Sequence, residues 1–346
     1  MSSTKQLKLL VDAAQSVVVM QADNPDGDSL ASALALEQIL GDLGKEPFLY
    51  CGVDMPTYLR HLPGWDRVSN ELPNKFDLSI IVDTSSLSLF GNLEKSGQKQ
   101  WVSSKPCIVI DHHDVKASIP FATLLINEPV VATGQILYEI AQELDWPLSQ
   151  TAKEMIATSI MSDSLGLVSE GTTARTIHII GELVEAGVSL SALDDARRQS
   201  MRKHPSLLPY KGELLKRVEF HNDNRIATIT IPWEEIERYS SLYNPSMLVL
   251  DEMRMVEGTD IGIAFKVYHD GKVTAKIRAN YGIGIANRLA EHFGGGGHAY
   301  AAGFKITDGR AFNEIKADCI RVTAELLAKL DQGTPNEAVQ HAKKDS

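Results

Sequence analysis

Positive charge is what this 346-residue chain lacks most: 34 Lys and Arg stand against 45 Asp and Glu, a formal net charge of −11. A protein that tracks long nucleic acid presents a basic face that releases counter-ions from the phosphates. Composition therefore argues against long duplex nucleic acid as a partner. A short phosphorylated substrate stays open, because metal ions and a few placed Arg or His residues can supply the positive charge. Cysteine is also scarce. Cys51, Cys107 and Cys319 are odd in number, widely spaced and set in apolar context, so they read as reduced packing residues, and no zinc spacing is present. Aromatic residues make up 6% of the chain, too few to suggest a stacking track for long single strands. No apolar run approaches the ~18 residues of a membrane helix. The start, Met1-Ser2-Ser3-Thr4-Lys5, has no long apolar core. The expectation is a cytoplasmic protein with no membrane partner.

An apolar share of 43% and a charged share of 23% are those of an ordinary globular protein, and the length suits two domains. Short runs of β-branched and apolar residues recur at 17–20, 48–51, 78–84, 106–111 and 123–127. Helical patterns lie between and after them, at 5–15, from Asp28 or Ser29 (the expected N-cap region) to about 43, and at 132–144, 149–161 and 173–186. Gly187 is a fitting C′ residue for the last of these. Strands buried on both faces and alternating with helices predict a mostly parallel α/β sheet with helices on both sides. After about residue 190 the texture changes. A charged helix leads to two hairpins, 218–231 through Asn222-Asp223-Asn224 and 261–279 through His269-Asp270-Gly271. A helix at 283–293, the run Gly294-Gly295-Gly296-Gly297-His298, a strand at 302–306 and a helix at 311–330 complete a second, smaller mixed α/β domain. The expected divisions are 1–190, a linker helix at 191–204, a domain at 205–330 and a disordered tail at 331–346, with a cleft between the two domains. Trp233, Met253 and Met255 read as core or interdomain packing. Arg175, Arg197, Arg198 and Arg254 read as solvated helix faces.

Several apolar segments end in acid or imidazole: Asp26 and Asp28, Asp83, Asp111-His112-His113, and Asp163, grouped here as strand ends. In open α/β sheets ligands bind beyond the carboxyl ends of the strands. Each Asp alone also fits a turn or cap, since Asp-Gly and Asp-Ser pairs are common there. As a set, carboxylates with one or two imidazoles suit hard divalent ions. Two such ions bridged by a carboxylate are a common engine of phosphate ester hydrolysis.

The motifs Asn24-Pro25-Asp26-Gly27-Asp28, Asp83-Thr84-Ser85, Asp111-His112-His113, Asp163-Ser164 and Gly294 to Gly303 occur in this order, and over roughly residues 10–330 the sequence resembles the DHH phosphoesterase superfamily. The resemblance is to the nanoRNase/pAp phosphatase and cyclic dinucleotide phosphodiesterase branch. It implies a DHH catalytic domain with two Mn²⁺ (or Mg²⁺ or another divalent ion) and a DHH-associated domain that binds substrate. By that likeness Asp26 binds the first metal, Asp28, His112 and Asp163 the second, and Asp83 bridges them. Asp111 orients the site, and His113 lies beside the scissile phosphate. Arg278, Gly295, Gly296, Gly297 and His298 hold a second phosphate or a base, through the Arg fork and a glycine-rich nest of N–H groups.

One departure stands out. Relatives carry His where this chain has Ala22, which weakens the first metal site. Gln21 and Asp23 are its neighbours, but adjacent strand residues point to opposite sides, so neither is a simple replacement. Leu165 and Val168, where relatives often have Gly and a basic or amide residue, read as variation in a lining loop. The implied function is metal-dependent hydrolysis of short nucleotides: pAp, nano-RNA, or linear or cyclic di-adenylate. A homodimer is the oligomeric expectation. The alternative is a nucleotide-binding or sensor protein with reduced or lost hydrolysis because of Ala22.

Overall fold

The computed structural model describes residues 2–114 and 117–333. The chain divides into two compact units, one ending at Arg202 and the other beginning at Lys203. The first unit runs α1 (Ser3–Ala13), β1 (Ser16–Gln21), α2 (Gly27–Asp42), β2 (Glu46–Cys51), β3 (Leu78–Val82), α3 (Gly91–Lys95), α4 (Lys99–Ser103), β4 (Cys107–Asp111), β5 (Leu124–Asn127), α5 (Thr133–Glu143), α6 (Gln150–Asp163), α7 (Ala174–Glu185) and α8 (Leu190–Ser200). Its five strands form one parallel sheet in the order β2-β1-β3-β4-β5. Ser-Val-Val-Val-Met-Gln in β1 and Leu-Ser-Ile-Ile-Val in β3 are buried because both faces are covered. Val17, Val19, Ile80, Val82, Ile108 and Ile110 pack on one side with α2, α5, α6 and α7. Val18, Met20, Ile81 and Val109 pack on the other with Phe90, Leu93 and Val102. Each such side chain contributes about 1.5–3 kcal/mol relative to an exposed one.

Asp26, rather than Asp28 or Ser29, caps α2. Its carboxylate accepts from the Ser29 amide at 3.0 Å, while Ser29 Oγ accepts from the Asp26 amide at 3.0 Å, a reciprocal capping box. The helix is buried over most of its length and lies against α6, where small residues let backbones approach. A Cβ at Gly27 would collide with Ser162 Oγ, and one at Gly134 with Ser159 Oγ. Gly187 has φ +96° just past α7, as a C′ glycine should.

The second unit runs α9 (Leu207–Leu215), β6 (Glu219–His221), β7 (Ile226–Ile231), α10 (Trp233–Tyr239), α11 (Leu250–Arg254), β8 (Ile261–Val267), β9 (Val273–Ala279), α12 (Ala286–His292), β10 (Gly296–Gly297), β11 (Ala301–Ile306) and α13 (Phe312–Asp331). Its sheet has the order β10-β11-β9-β8-β7-β6 and is antiparallel except for β7 beside β8. Both expected hairpins are present. Helices α9, α10 and α11 carry no clear period in the sequence and are held by the core they cover. Met253 is in that core, but Met255 is 84% exposed, because α11 ends one residue before it and its side chain leaves the packed face. The glycine run is not a plain loop: Gly296 and Gly297 pair with Gly303 and Ala302 as β10. Asp331, expected in a disordered tail, ends α13 and accepts from Arg225 at 2.6 and 3.1 Å. Residues 334–346 of that expected tail lie outside the described residues. The three cysteines are unpaired and buried. Arg175, Arg197, Arg198 and Arg254 pair with nearby carboxylates on helix surfaces. No single described helix is long and apolar enough to cross a membrane.

Candidate metal centre

The parallel sheet delivers Asp83 and Asp111 at the ends of neighbouring central strands, and the residues after β4 fold back over them. His112 Nδ1 lies 3.1 Å from the Val130 carbonyl, so that nitrogen carries the proton and donates. In the neutral ring the other nitrogen, Nε2, then carries the lone pair. Among the described residues it is buried with no hydrogen-bond partner, and it lies 3.4 Å from Asp83 Oδ1 and 3.5 Å from Asp28 Oδ2 and Asp163 Oδ2. A lone pair facing three carboxylates is repulsive unless a proton or a cation lies among them, and this donor set fits a hard divalent ion. Ligand atoms of Asp28, His112 and Asp163 lie within 4.8 Å of one another, as do those of Asp83, His112 and His113.

The surroundings hold these acids in place. Asp28 is fully buried near the start of α2 and accepts from Ser32 Oγ at 2.9 Å, Ser159 Oγ at 2.5 Å and the Thr133 amide at 2.8 Å. The N-termini of α2 and α5 therefore both meet this carboxylate, where helix dipoles favour negative charge. Asp83 has φ +63°, a left-handed conformation that turns the chain sharply after β3, and accepts from Thr133 Oγ1 at 3.2 Å. Burial, reinforced by the charges of Asp28, Asp26 and Asp163, holds its carboxyl well above the ordinary value. Asp163, grouped with strand ends from sequence, is instead the last residue of helix α6. Burial and the Asp28 and Asp26 charges push it up to about 7. A helix C-terminus already carries negative potential, so an ionised Asp there needs a cation nearby.

Asp111 is fully buried and binds back on its own successors. Its Oδ1 accepts from the His112 amide at 2.9 Å, the His113 amide at 3.3 Å and His113 Nδ1 at 2.8 Å. Burial raises its carboxyl, but these bonds outweigh that and leave it below the ordinary value. The same bond raises the His113 imidazole against the opposing effect of burial. His113 is fixed by one nitrogen with its side chain 47% exposed.

Asp26 is not part of either close cluster among the described residues. It lines an adjoining cavity of about 300 Å³ with Ala22, Asn24, Asp83, Asp111 and His113. Ala22 presents only a methyl group there. Asp23 is held elsewhere, accepting from the Asn92 amide at 2.7 Å beside Gly52, and Gln21 is buried with both side-chain amide atoms unpaired among the described residues. Neither lines the cavity. Thr133, Ser159, Ser32 and Tyr58, whose hydroxyl donates to the Pro25 carbonyl at 2.9 Å, are site residues that sequence reading misses. Single hydroxyls scattered through helices and loops carry no spacing signal.

In the second unit, Arg278 sits mid-sheet on β9, with one guanidinium nitrogen donating to the Ile277 carbonyl at 3.0 Å. Gly295 and Gly297 are required for close strand packing, since a Cβ on either would strike the β11 backbone, whereas Gly296 faces open space. His298 is exposed in the turn that follows.

Comparison with known proteins agrees with these motifs. The N-terminal domain of the DHH family matches residues 16–172, and the DHHA1 domain matches residues 246–325. The chain is 28% identical over 284 residues to a bifunctional oligoribonuclease and PAP phosphatase NrnA of Thermus thermophilus, covering 81% of each protein. It is 24% identical over 319 residues to the protein of the same name from Bacillus subtilis, covering 91% of this chain and 95% of that one. In fold it is similar to an exopolyphosphatase-related protein from Bacteroides fragilis, with a TM-score of 0.79 at 20% identity, covering 94% and 97% of the two chains. The chain belongs to the DHH phosphoesterase superfamily, with a DHH domain followed by a DHHA1 domain.

Proposed function

We propose that this protein hydrolyses short nucleotides, among them pAp, oligoribonucleotides of a few residues and linear or cyclic di-adenylate, with Mn²⁺ as the preferred cofactor and Mg²⁺ as a substitute. The DHH family is divalent-metal dependent, and the observation that carries the reading is the His112 lone pair facing Asp28, Asp83 and Asp163. Asp28, Asp83, His112 and Asp163 would hold one ion, and Asp83 with Asp26 a second, weaker one. Divalent ions there would stabilise charge on the reacting phosphate and lower the pKa of an attacking water.

The protein's own groups do the rest. Asp111 anchors His113 and raises its pKa, so the imidazolium can donate to a phosphate oxygen or to the leaving group. The hydroxyls of Ser32, Ser159 and Thr133 keep the carboxylates from rotating. In the second unit, Arg278, Gly295, Gly296, Gly297 and His298 are suited to hold the non-reacting part of the nucleotide. The name of two relatives, oligoribonuclease and PAP phosphatase, supports pAp and oligoribonucleotides within this range.

A second reading, a nucleotide-binding protein with little hydrolysis, is favoured by Ala22 and by the use of Asp26 as a helix cap. The deciding experiment incubates the purified protein and its Asp83→Ala variant with Mn²⁺ and pAp, RNA dimers or cyclic di-AMP. Turnover that vanishes in the variant supports hydrolysis. Tight binding with no turnover of any of the three supports the second reading.

A further inference from the structure

The chain leaves α6 through a strained turn. Leu165, Gly166 and Leu167 follow one another at φ +53°, +78° and +71°. A left-handed backbone brings Cβ against the following carbonyl oxygen, a cost that glycine escapes and that Asn and Asp offset through local hydrogen bonds. Among the described residues, the other non-glycine residues at positive φ are all Asp or Asn: Asp83, Asp145, Asn222, Asp223 and Asn224. Leucine has neither remedy.

Ser164 holds the turn in this shape. It is fully buried, its Oγ accepts from the Leu167 amide at 2.9 Å, and its carbonyl accepts from the amides of Val168 at 2.9 Å and Ser169 at 2.8 Å. The Gly166 amide donates back to the Met161 carbonyl at 2.9 Å. Backbone and Ser164 thus set the conformation, and each leucine side chain needs its own explanation. Leu167 is partly buried against the core of the first unit, so burial offsets its strain. Leu165 has no such compensation, being 72% exposed, and Val168 beyond it is 79% exposed. For the fold alone, glycine at 165 would serve better. A strained side chain that the fold does not use points to a use outside it.

Position indicates what that use is. Leu165 lies two residues after Asp163, so their Cα atoms are at most about 7 Å apart, and Asp163 Oδ2 belongs to the carboxylates that face His112 Nε2, at 3.5 Å. A nucleotide with its phosphate at that cluster carries its sugar and base over a span of this order. The base is the part an aliphatic pair can recognise. Its faces are flat and uncharged, whereas Leu165 and Val168 offer neither charge nor hydrogen bond to a phosphate or a sugar hydroxyl. Two side chains on one turn also expose far less than the ~1,000 Å² that a lasting protein contact buries, so a small flat group suits them better than a second protein.

We propose that Leu165 and Val168 form an aliphatic platform at the edge of the metal centre for the nucleobase next to the reacting phosphate. Because both side chains lack hydrogen-bonding groups, the platform accepts any base and favours nucleotides over phosphate esters that have none. The proposal rests on the reading of the chain as acting on short nucleotides and assigns part of that selectivity to the first unit.

The test compares AMP with ribose 5-phosphate, which share a phosphorylated ribose and differ in the base, by equilibrium dialysis against the full chain with Mn²⁺. Wild type, Leu165→Gly, Leu165→Met and Val168→Ser are measured, each with a melting curve. Leu165→Gly should melt no lower than wild type, because the strain is relieved. It should bind AMP about tenfold more weakly, as expected for losing roughly half of a leucine's apolar contact, and ribose 5-phosphate as before. Val168→Ser should weaken AMP several-fold, and Leu165→Met should keep wild-type affinity. AMP affinity unaltered in Leu165→Gly, an equal loss for both ligands, or a marked fall in its melting temperature would overturn the platform and leave the hydrolytic reading untouched. The expected AMP results without turnover of pAp, RNA dimers or cyclic di-AMP would overturn the hydrolytic reading alone. Binding of neither ligand by wild type would overturn both.

Discussion

His112 turns Nε2 to within 3.4 Å of Asp83 Oδ1 while its Nδ1 is engaged by the Val130 carbonyl, so the neutral imidazole meets the carboxylate as a second acceptor. Two acceptors at that distance require a proton or a cation between them, and the carboxylate-rich set around them suits a divalent ion. His112→Ala should therefore lower Mn²⁺ affinity by at least about 10- to 100-fold, since a lost ligand costs no less than a lost second-layer partner. Calorimetric titration of the folded variant checks this, and unchanged affinity would mean that the imidazole is not a ligand.

Ala22 supplies no ligand to the cavity beside Asp26 and Asp83. Ala22→His should raise the number of Mn²⁺ ions retained after dialysis from near one to near two. If wild type already retains two, some other group fills that position.

Ser159 joins α6 to the site by donating to Asp28 at 2.5 Å and accepting from the Gly134 amide at 2.8 Å. Ser159→Ala leaves a buried carboxylate oxygen and a buried amide each short of a bond. The expected loss is about 1–3 kcal/mol of stability, together with weaker metal binding. Denaturant melts with and without Mn²⁺ separate the two effects. A variant as stable as wild type would show that water takes over both bonds.

Burial and neighbouring carboxylates hold Asp83 and Asp163 above their ordinary values, Asp163 up to about 7. In metal-free protein the folded state therefore binds these protons more tightly than the unfolded chain, whose carboxyls titrate near about 4. Stability from this source is complete below about pH 4 and is lost as pH rises through about 7. In EDTA the melting temperature should fall over that interval. Mn²⁺ should reverse the trend near neutral pH, because the ion binds the deprotonated carboxylates. The same pH profile with and without Mn²⁺ would count against a cation at this site.

Much of the fold is legible from sequence because its signals are local. Runs such as Val17-Val18-Val19-Met20 and Cys107-Ile108-Val109-Ile110 read as strands covered on both faces, being short and rich in β-branched residues, and the alternation with helices follows from spacing along the chain. The residues Asp28, Asp83, His112 and Asp163 stand in ordered motifs, so their chemistry can be anticipated. Short helices such as α9 and α11 have no such pattern, since their burial depends on a sheet assembled from distant segments.

What the sequence by itself determined was the set of strands, their polar ends and the family they belong to, all properties of neighbouring residues. Only the tertiary structure decided that Asp163 ends a helix, that Asp26 caps α2 outside the close cluster, and that Thr133 and Ser159 hold Asp28, which lies 105 and 131 residues away from them. Composition averaged over a chain of net charge −11 also hid that Lys266, Lys276, Arg278 and Lys305 share one face of the second unit's sheet. Strand register brought those cations together, and register is fixed by which faces are buried, a property of the assembled sheet and of no single segment.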